Sequence, residues 1–119
     1  MHEGSIAKNI LKVVDGIKKE HNVDTVKEVV VRIGKLHAVV TDSLVFLFDL
    51  MKKDYPGLEN ARLIVEEVMV EGKCKKCGKA FTLDTPVFVC PICGSPDVVV
   101  EKGEEMLVVS ITAEEETDE

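Results

Sequence analysis

Apolar residues recur at helical spacing near the start of the chain. Ile6, Ile10, Val13 or Val14, and Ile17 fall three or four apart, with Lys8, Lys12, Asp15 and Lys19 between them. That spacing predicts an amphipathic helix over residues 5–21, with Ser5 or Glu3 placed to cap or complement its positive end. The pattern then changes. Residues 26–33, VKEVVVRI, are rich in β-branched side chains and predict a strand that stops at Gly34. Thr41-Asp42-Ser43 is a cluster of N-cap residues ahead of LVFLFDLMKK, in which Leu44, Leu47, Phe48 and Met51 share one helical face. Tyr55-Pro56-Gly57 ends that second helix. ARLIVEEVMV (61–70) predicts a second strand and MLVVSITAE (106–114) a last one, with Leu107, Val109 and Ile111 on one side.

The order is therefore helix, strand, helix, strand, cysteine segment, strand. It predicts an α+β fold, a small mixed β-sheet of about three strands with two helices. Segment 72–104 shows no core beyond its cysteines, Phe81, Phe88 and a few valines, so it reads as an inserted zinc-ribbon or rubredoxin-like domain built on four cysteines. The main domain is then discontinuous, 1–71 with 105–113, and 114–119 is an acidic tail expected to be disordered. A chain of 119 residues has room for one such domain and its insert. Aromatics make up only 4% and Trp is absent, so Val, Ile and Leu must fill the core.

Charge narrows the function classes. A formal net charge of −7 argues against nonspecific nucleic-acid binding, which needs basic surface to displace counterions. The lysines are unevenly placed, however: Lys73, Lys75, Lys76 and Lys79 surround the first cysteine pair, while Glu114, Glu115, Glu116, Asp118 and Glu119 end the chain. Both runs read as solvated surface. The absence of Gln, with plentiful Lys, Glu and Val, leans toward a thermophilic source. No run of 18 apolar residues predicts a membrane span. Lys8, Lys12 and Asp15 interrupt any signal-peptide-like stretch, so a cytoplasmic location is expected. Thiols stay reduced there, and paired CxxC units bind metal more often than they form disulfides.

Cys74-x2-Cys77-x12-Cys90-x2-Cys93 is the strongest motif. Two residues between cysteines let one tight turn aim both sulfurs at one ion. Gly78 and Gly94 follow each pair, where knuckle backbones often need a positive φ. Four thiolates about 2.3 Å from one ion make the closed arrangement of structural zinc. Iron is the rival, because CxxCG with CPxCG also resembles rubredoxin and the ligand type alone does not separate the metals. Residues 1–70 exceed what an electron carrier needs, which favours zinc. The insert holds no histidine and offers no fifth ligand.

The chain opens Met1-His2-Glu3. The Met1 amine, the His2 amide and imidazole, and the Glu3 amide lie within a few bonds of each other and could close a square of nitrogens. Nickel(II) and copper(II) suit such tetragonal sets. On chemistry alone, a histidine at position 2 is usually just a solvated terminal residue. His21 ends the first helix, where a cation complements the dipole, and His37 follows Gly34 in a loop. Both read as surface residues.

Taken together, Met1-His2-Glu3-x-Ser5-Ile6-Ala7, the strand VVVRIGKL (29–36), the helix from Asp42-Ser43-Leu44, the strand LIVEE (63–67) and the CxxC and CPxCGS motifs resemble the HypA/HybF family of hydrogenase nickel-incorporation proteins. The resemblance covers nearly the whole chain in order. It implies a non-enzymatic, two-domain metallochaperone that carries Ni(II) as cargo and holds Zn(II) as a structural ion. It also implies a nickel-binding maturation GTPase and the [NiFe]-hydrogenase large subunit precursor as partners; some relatives serve urease. His2 matches the family's nickel ligand, with Met1 and Glu3 as backbone neighbours, and Cys74, Cys77, Cys90 and Cys93 match its zinc ligands. Gly4 departs from the aromatic often found at that position, which implies a looser terminus. The histidine-free zinc insert is the second departure.

Two other readings compete: a zinc-ribbon module that binds nucleic acid or protein through Lys73–Lys79, and a rubredoxin-like electron carrier. Acidity and few aromatics for base stacking count against the first. No Ser/Cys–His–acid constellation or carboxylate pair supports catalysis. Exposed strand edges at Leu107-Val108-Val109 or residues 63–70 would allow a homodimer.

Overall fold

A computed structural model describes residues 2–83 and 89–114. Met1, Phe88 and, of the predicted acidic tail, Glu115, Glu116, Asp118 and Glu119 lie outside the described residues. Helix α1 (Glu3–Glu20) is followed by strand β1 (Val26–Gly34), helix α2 (Thr41–Met51) and strands β2 (Arg62–Val68), β3 (Val70–Cys74), β4 (Ala80–Leu83), β5 (Val98–Lys102) and β6 (Met106–Ala113). Short 3-10 turns at Lys35–His37 and Lys52–Asp54 follow β1 and α2. The strands form two three-stranded sheets, ordered β2-β1-β6 and β4-β3-β5. Among the described residues, no helix is long and apolar enough to cross a membrane.

The described residues divide into two compact units, one of residues 2–31, 40–65 and 108–114, the other of Arg32–Val39 with 66–83 and 89–107. In the first, α1 and α2 pack on each other. The α1 stripe of Ile6, Ala7, Ile10, Leu11 and Val14 is buried, as are Leu44 and Phe48 of α2 and Val26, Val29 and Val31 of β1. Val14 faces the core while its neighbour Val13 is exposed. Fully burying one such Leu, Val or Phe is worth about 1.5–3 kcal/mol, so these aliphatic faces hold the unit together despite the scarcity of rings.

The second unit departs from expectation in an instructive way. ARLIVEEVMV does not form one strand: β2 ends at Val68, and the chain enters the other sheet at Val70. The segment expected to lack a core is itself a sheet. Antiparallel β3 pairs with β4 (Gly72 opposite Phe81) and with β5 (Gly72 opposite Val100), with an irregularity between Glu71 and Gly72. Glycine suits position 72, where a Cβ would press on the Phe81 ring at 3.0 Å and the Val99 carbonyl at 3.1 Å. The 35–37 turn and the 103–105 loop of this unit are also laced together, Gly34 N–H donating to Glu105 O (2.7 Å) and Leu36 N–H to Gly103 O (3.1 Å). A Cβ at Gly34 would run into the Gly103 carbonyl.

The helix starts also differ from expectation. α1 begins at Glu3 with His2 as its N-cap, and no side chain caps it. The N-cap of α2 is Val40, ahead of the Thr41-Asp42-Ser43 cluster, which lies inside the first turn. The last strand, β6, forms at Met106–Ala113 as its pattern predicts, at a sheet edge, with Leu107 and Val109 exposed and Ile111 half-buried.

Candidate metal centres

The four cysteines converge, as their spacing predicts. Cys74 ends β3, and the turn after it carries Cys77; Cys90 and Cys93 form the matching turn before β5. Each knuckle repeats the same bonds. Gly78 N–H donates to Cys74 O and Gly94 N–H to Cys90 O, both at 2.9 Å. Both glycines have φ +77°, and nothing lies within 4 Å of a Cβ placed on either. Conformation rather than space therefore demands glycine here. Cys74 and Cys90 are buried while Cys77 and Cys93 are exposed, so each knuckle offers one sulfur from the core and one from the rim.

All four sulfurs lie within 4.8 Å of one another. Cys74 Sγ to Cys93 Sγ is 3.6 Å and Cys77 Sγ to Cys90 Sγ is 3.7 Å. Four ligands about 2.3 Å from one ion in a tetrahedron are about 3.8 Å apart, whereas a disulfide is about 2.05 Å long. The arrangement is a four-cysteine metal-binding site with a free thiol at each corner.

Backbone amides prepare it for negative charge. Cys77 N–H points at Cys74 Sγ (3.4 Å) and Cys93 N–H at Cys90 Sγ (3.5 Å). The Cys77 and Lys76 amides hold the Cys74 thiol below its ordinary pKa. The Cys93 and Ile92 amides pull Cys90 down to about 6. The Ser95 amide favours the Cys93 thiolate, but desolvation and the three neighbouring sulfurs outweigh it and push Cys93 up to about 11. Four thiolates cannot coexist here at neutral pH without a cation, which would displace the remaining protons.

Ser95 supports this centre and was not singled out by sequence. It is a buried polar residue whose carbonyl accepts the Cys90 N–H (2.8 Å) and whose hydroxyl accepts the Asp97 N–H (3.1 Å). Its place directly after a CPxCG knuckle was the available signal. Lys73, Lys75, Lys76 and Lys79 are exposed around the first knuckle.

At the other candidate centre, His2 is exposed, with extended backbone (φ −86°, ψ 99°), and its carbonyl accepts the Ser5 and Ile6 N–H groups at 3.1 and 3.2 Å. Amides at a helix start have no intrahelical acceptor, so the backbone nitrogens of His2 and Glu3 are not consumed by the helix. An open depression here is lined by His2, Glu3, Gly4, Ser5, Lys8 and Met51. The space a larger residue at position 4 would use borders Met51 Cε and Leu47 Cδ1, 3.8 and 4.0 Å from a Cβ placed on Gly4. The Glu3 carboxylate accepts the Val40 N–H at 2.9 Å. That bond, then the residue's own amide, holds the Glu3 carboxyl below the usual carboxylate range.

The remaining histidines stay apart from this picture. His21 is the C-cap of α1, about 28 Å along the helix from His2 at 1.5 Å per residue. His37 lies in a 3-10 turn with Nε2 2.8 Å from Glu104 O.

Comparison with known proteins adds an independent line. Residues 1–113 match the family described as "Hydrogenase/urease nickel incorporation, metallochaperone, hypA". The hydrogenase maturation factor HypA of Desulfosudis oleivorans is 39% identical over 116 residues, covering 97% of this chain and all of the relative. Its counterpart in Chloroflexus aggregans is 39% identical over 112 residues, 93% of this chain and 97% of that one. Among solved structures, the Ni metallochaperone HypA from Helicobacter pylori superposes with a TM-score of 0.67 at 26% identity, over 95% of this chain and 97% of that one.

Proposed function

We propose a nickel-donor role for this chain, which belongs to the HypA family of hydrogenase and urease nickel-incorporation metallochaperones. The family is one of hydrogenase maturation metallochaperones, not of enzymes. On our reading, Ni(II) is the cargo, taken by the Met1 amine, the His2 amide and imidazole, and the Glu3 amide. Zn(II) is the resident ion at Cys74, Cys77, Cys90 and Cys93. The supporting observation for the cargo site is that His2 caps α1, where its amide and that of Glu3 are free of helix bonds. A square of nitrogens there suits nickel(II), and a short exposed ligand set gives up its ion readily to a partner offering a better one.

The recipient in this reading is the [NiFe]-hydrogenase large subunit precursor, with a nickel-binding GTPase in the hand-over and urease as a second destination. Domains 1–71 with 105–113 for nickel and 72–104 for zinc complete the proposal. Zinc fits the closed site because all four positions are thiolates fixed by paired knuckles, and a resident zinc would lend folding energy rather than chemistry. Metal analysis and calorimetry of untagged protein test the scheme. One tightly held zinc and one exchangeable nickel are expected, with His2→Ala abolishing nickel binding and sparing zinc. Unchanged nickel affinity in that variant would end the proposal.

A further inference from the structure

Glu3 is bonded through its side chain to a residue 37 positions away. Its carboxylate accepts the Val40 N–H at 2.9 Å, while its backbone opens α1 directly after His2. Val40 is the N-cap of α2, and no side chain of its own caps that helix. A carboxylate at a helix start also complements the helix dipole. One residue therefore joins the beginnings of both helices. The next residue adds no side chain to the join: only a Cβ placed on Gly4 would come within 4 Å of Met51 and Leu47 of α2. The carboxylate is committed to backbone, to the Val40 N–H and to the amide of Glu3 itself.

We propose that Glu3 is the positioning residue of the terminal nickel site, a clamp whose carboxylate grips Val40 N–H rather than reaching out to the cargo. This rests on the terminal nickel reading above. An amine, two amides and an imidazole close a planar set only if the backbone from Met1 to Glu3 holds one conformation. The clamp fixes Glu3, and His2 follows as the adjoining cap. It also gives this chain a tether for a terminus that carries glycine at position 4.

The clamp has a signature that a ligand would not share. A glutamine at position 3 keeps a carbonyl oxygen for Val40 N–H but lacks an anionic ligand; alanine keeps neither. Val40→Pro removes the donor at a site 57% exposed whose φ of −82° proline accepts. Calorimetry and the visible absorption of the nickel complex should then show Glu3→Ala and Val40→Pro weakened about 10–100-fold, the range for loss of a supporting contact to a metal ligand. Glu3→Gln should stay within about threefold of the parent, with zinc content equal in all four proteins. In metal-free protein, the Val40 amide should exchange slowly with solvent in the parent and Glu3→Gln, and quickly in Glu3→Ala. Glu3→Gln falling as far as Glu3→Ala, or full affinity in Val40→Pro, would overturn the clamp while leaving the nickel site standing. Undiminished nickel binding in His2→Ala would instead remove the reading beneath it.

Discussion

The cysteine centre is enclosed by repeated backbone bonds, two buried sulfurs and a positive-φ glycine in each knuckle. The terminal centre has an exposed imidazole on a helix cap, with one carboxylate bond to α2 behind it. Both offer metal-binding atoms, but they use backbone oppositely. In the knuckles the amides point at the ligands and stabilise them. At the terminus the amides are themselves the proposed ligands, free of helix bonds because a helix start leaves them without an intrahelical acceptor. Enclosure suits retention and exposure suits exchange, which is the division a metallochaperone needs.

The largest effect that would sharpen this contrast comes from the closed site. Cys90→Ala removes a buried ligand and leaves three. Structural zinc binding is worth about 10–16 kcal/mol of folding free energy in small zinc modules, so the variant should lose its metal and the NMR dispersion of residues 66–107. Chelation of the parent should do the same. Retained dispersion in the metal-free state would mean that the β4-β3-β5 sheet holds without the ion, breaking the contrast.

Next in size is the core that carries the open site. Phe48 is fully buried, and Phe48→Ala should cost about 3–5 kcal/mol in denaturant unfolding. Its zinc content should not change. Zinc loss in step with stability would show that the two units do not unfold separately.

The third is acid sensitivity. Cys90 falls to about 6 through the Cys93 and Ile92 amides, and Cys93 rises to about 11. A depressed folded-state pKa adds stability above the unfolded value, and that stability is lost as pH falls through about 6. Binding must also strip the high-pKa Cys93 proton, so metal affinity should climb with pH through the neutral range. Proton release measured by calorimetry in buffers of different ionisation enthalpy checks this. Release that does not change with pH would contradict the coupled thiols.

How much of this was legible follows from the same contrast. The helices, β1 and the cysteine cluster were visible because each repeats a spacing: three or four residues in α1, β-branched runs in β1, CxxC twice. β3 was hidden although it alternates, with Val70, Gly72 and Cys74 inward. Two of its three inward residues are a glycine and a metal ligand, which no hydrophobic pattern registers. The α2 cap was misplaced because its partner Glu3 lies 37 residues upstream, beyond any local rule. His2 carried no chemical signal of its own and stood out only through resemblance along the whole chain.

The smallest effect tests how far the enclosure depends on side chains. Ser95 is buried, and its hydroxyl accepts the Asp97 N–H, whereas the bond nearest the metal, Cys90 N–H to Ser95 O, is backbone. Ser95→Ala therefore leaves one buried amide unpaired, at a cost of about 1 kcal/mol, and leaves every contact to sulfur intact. Zinc stoichiometry should be unchanged and the unfolding midpoint slightly lower. If zinc affinity instead fell by the 10–100-fold typical of lost support around a ligand, the knuckle would owe its shape to that hydroxyl. The closed centre would then resemble the open one, each held by a single side-chain bond to backbone.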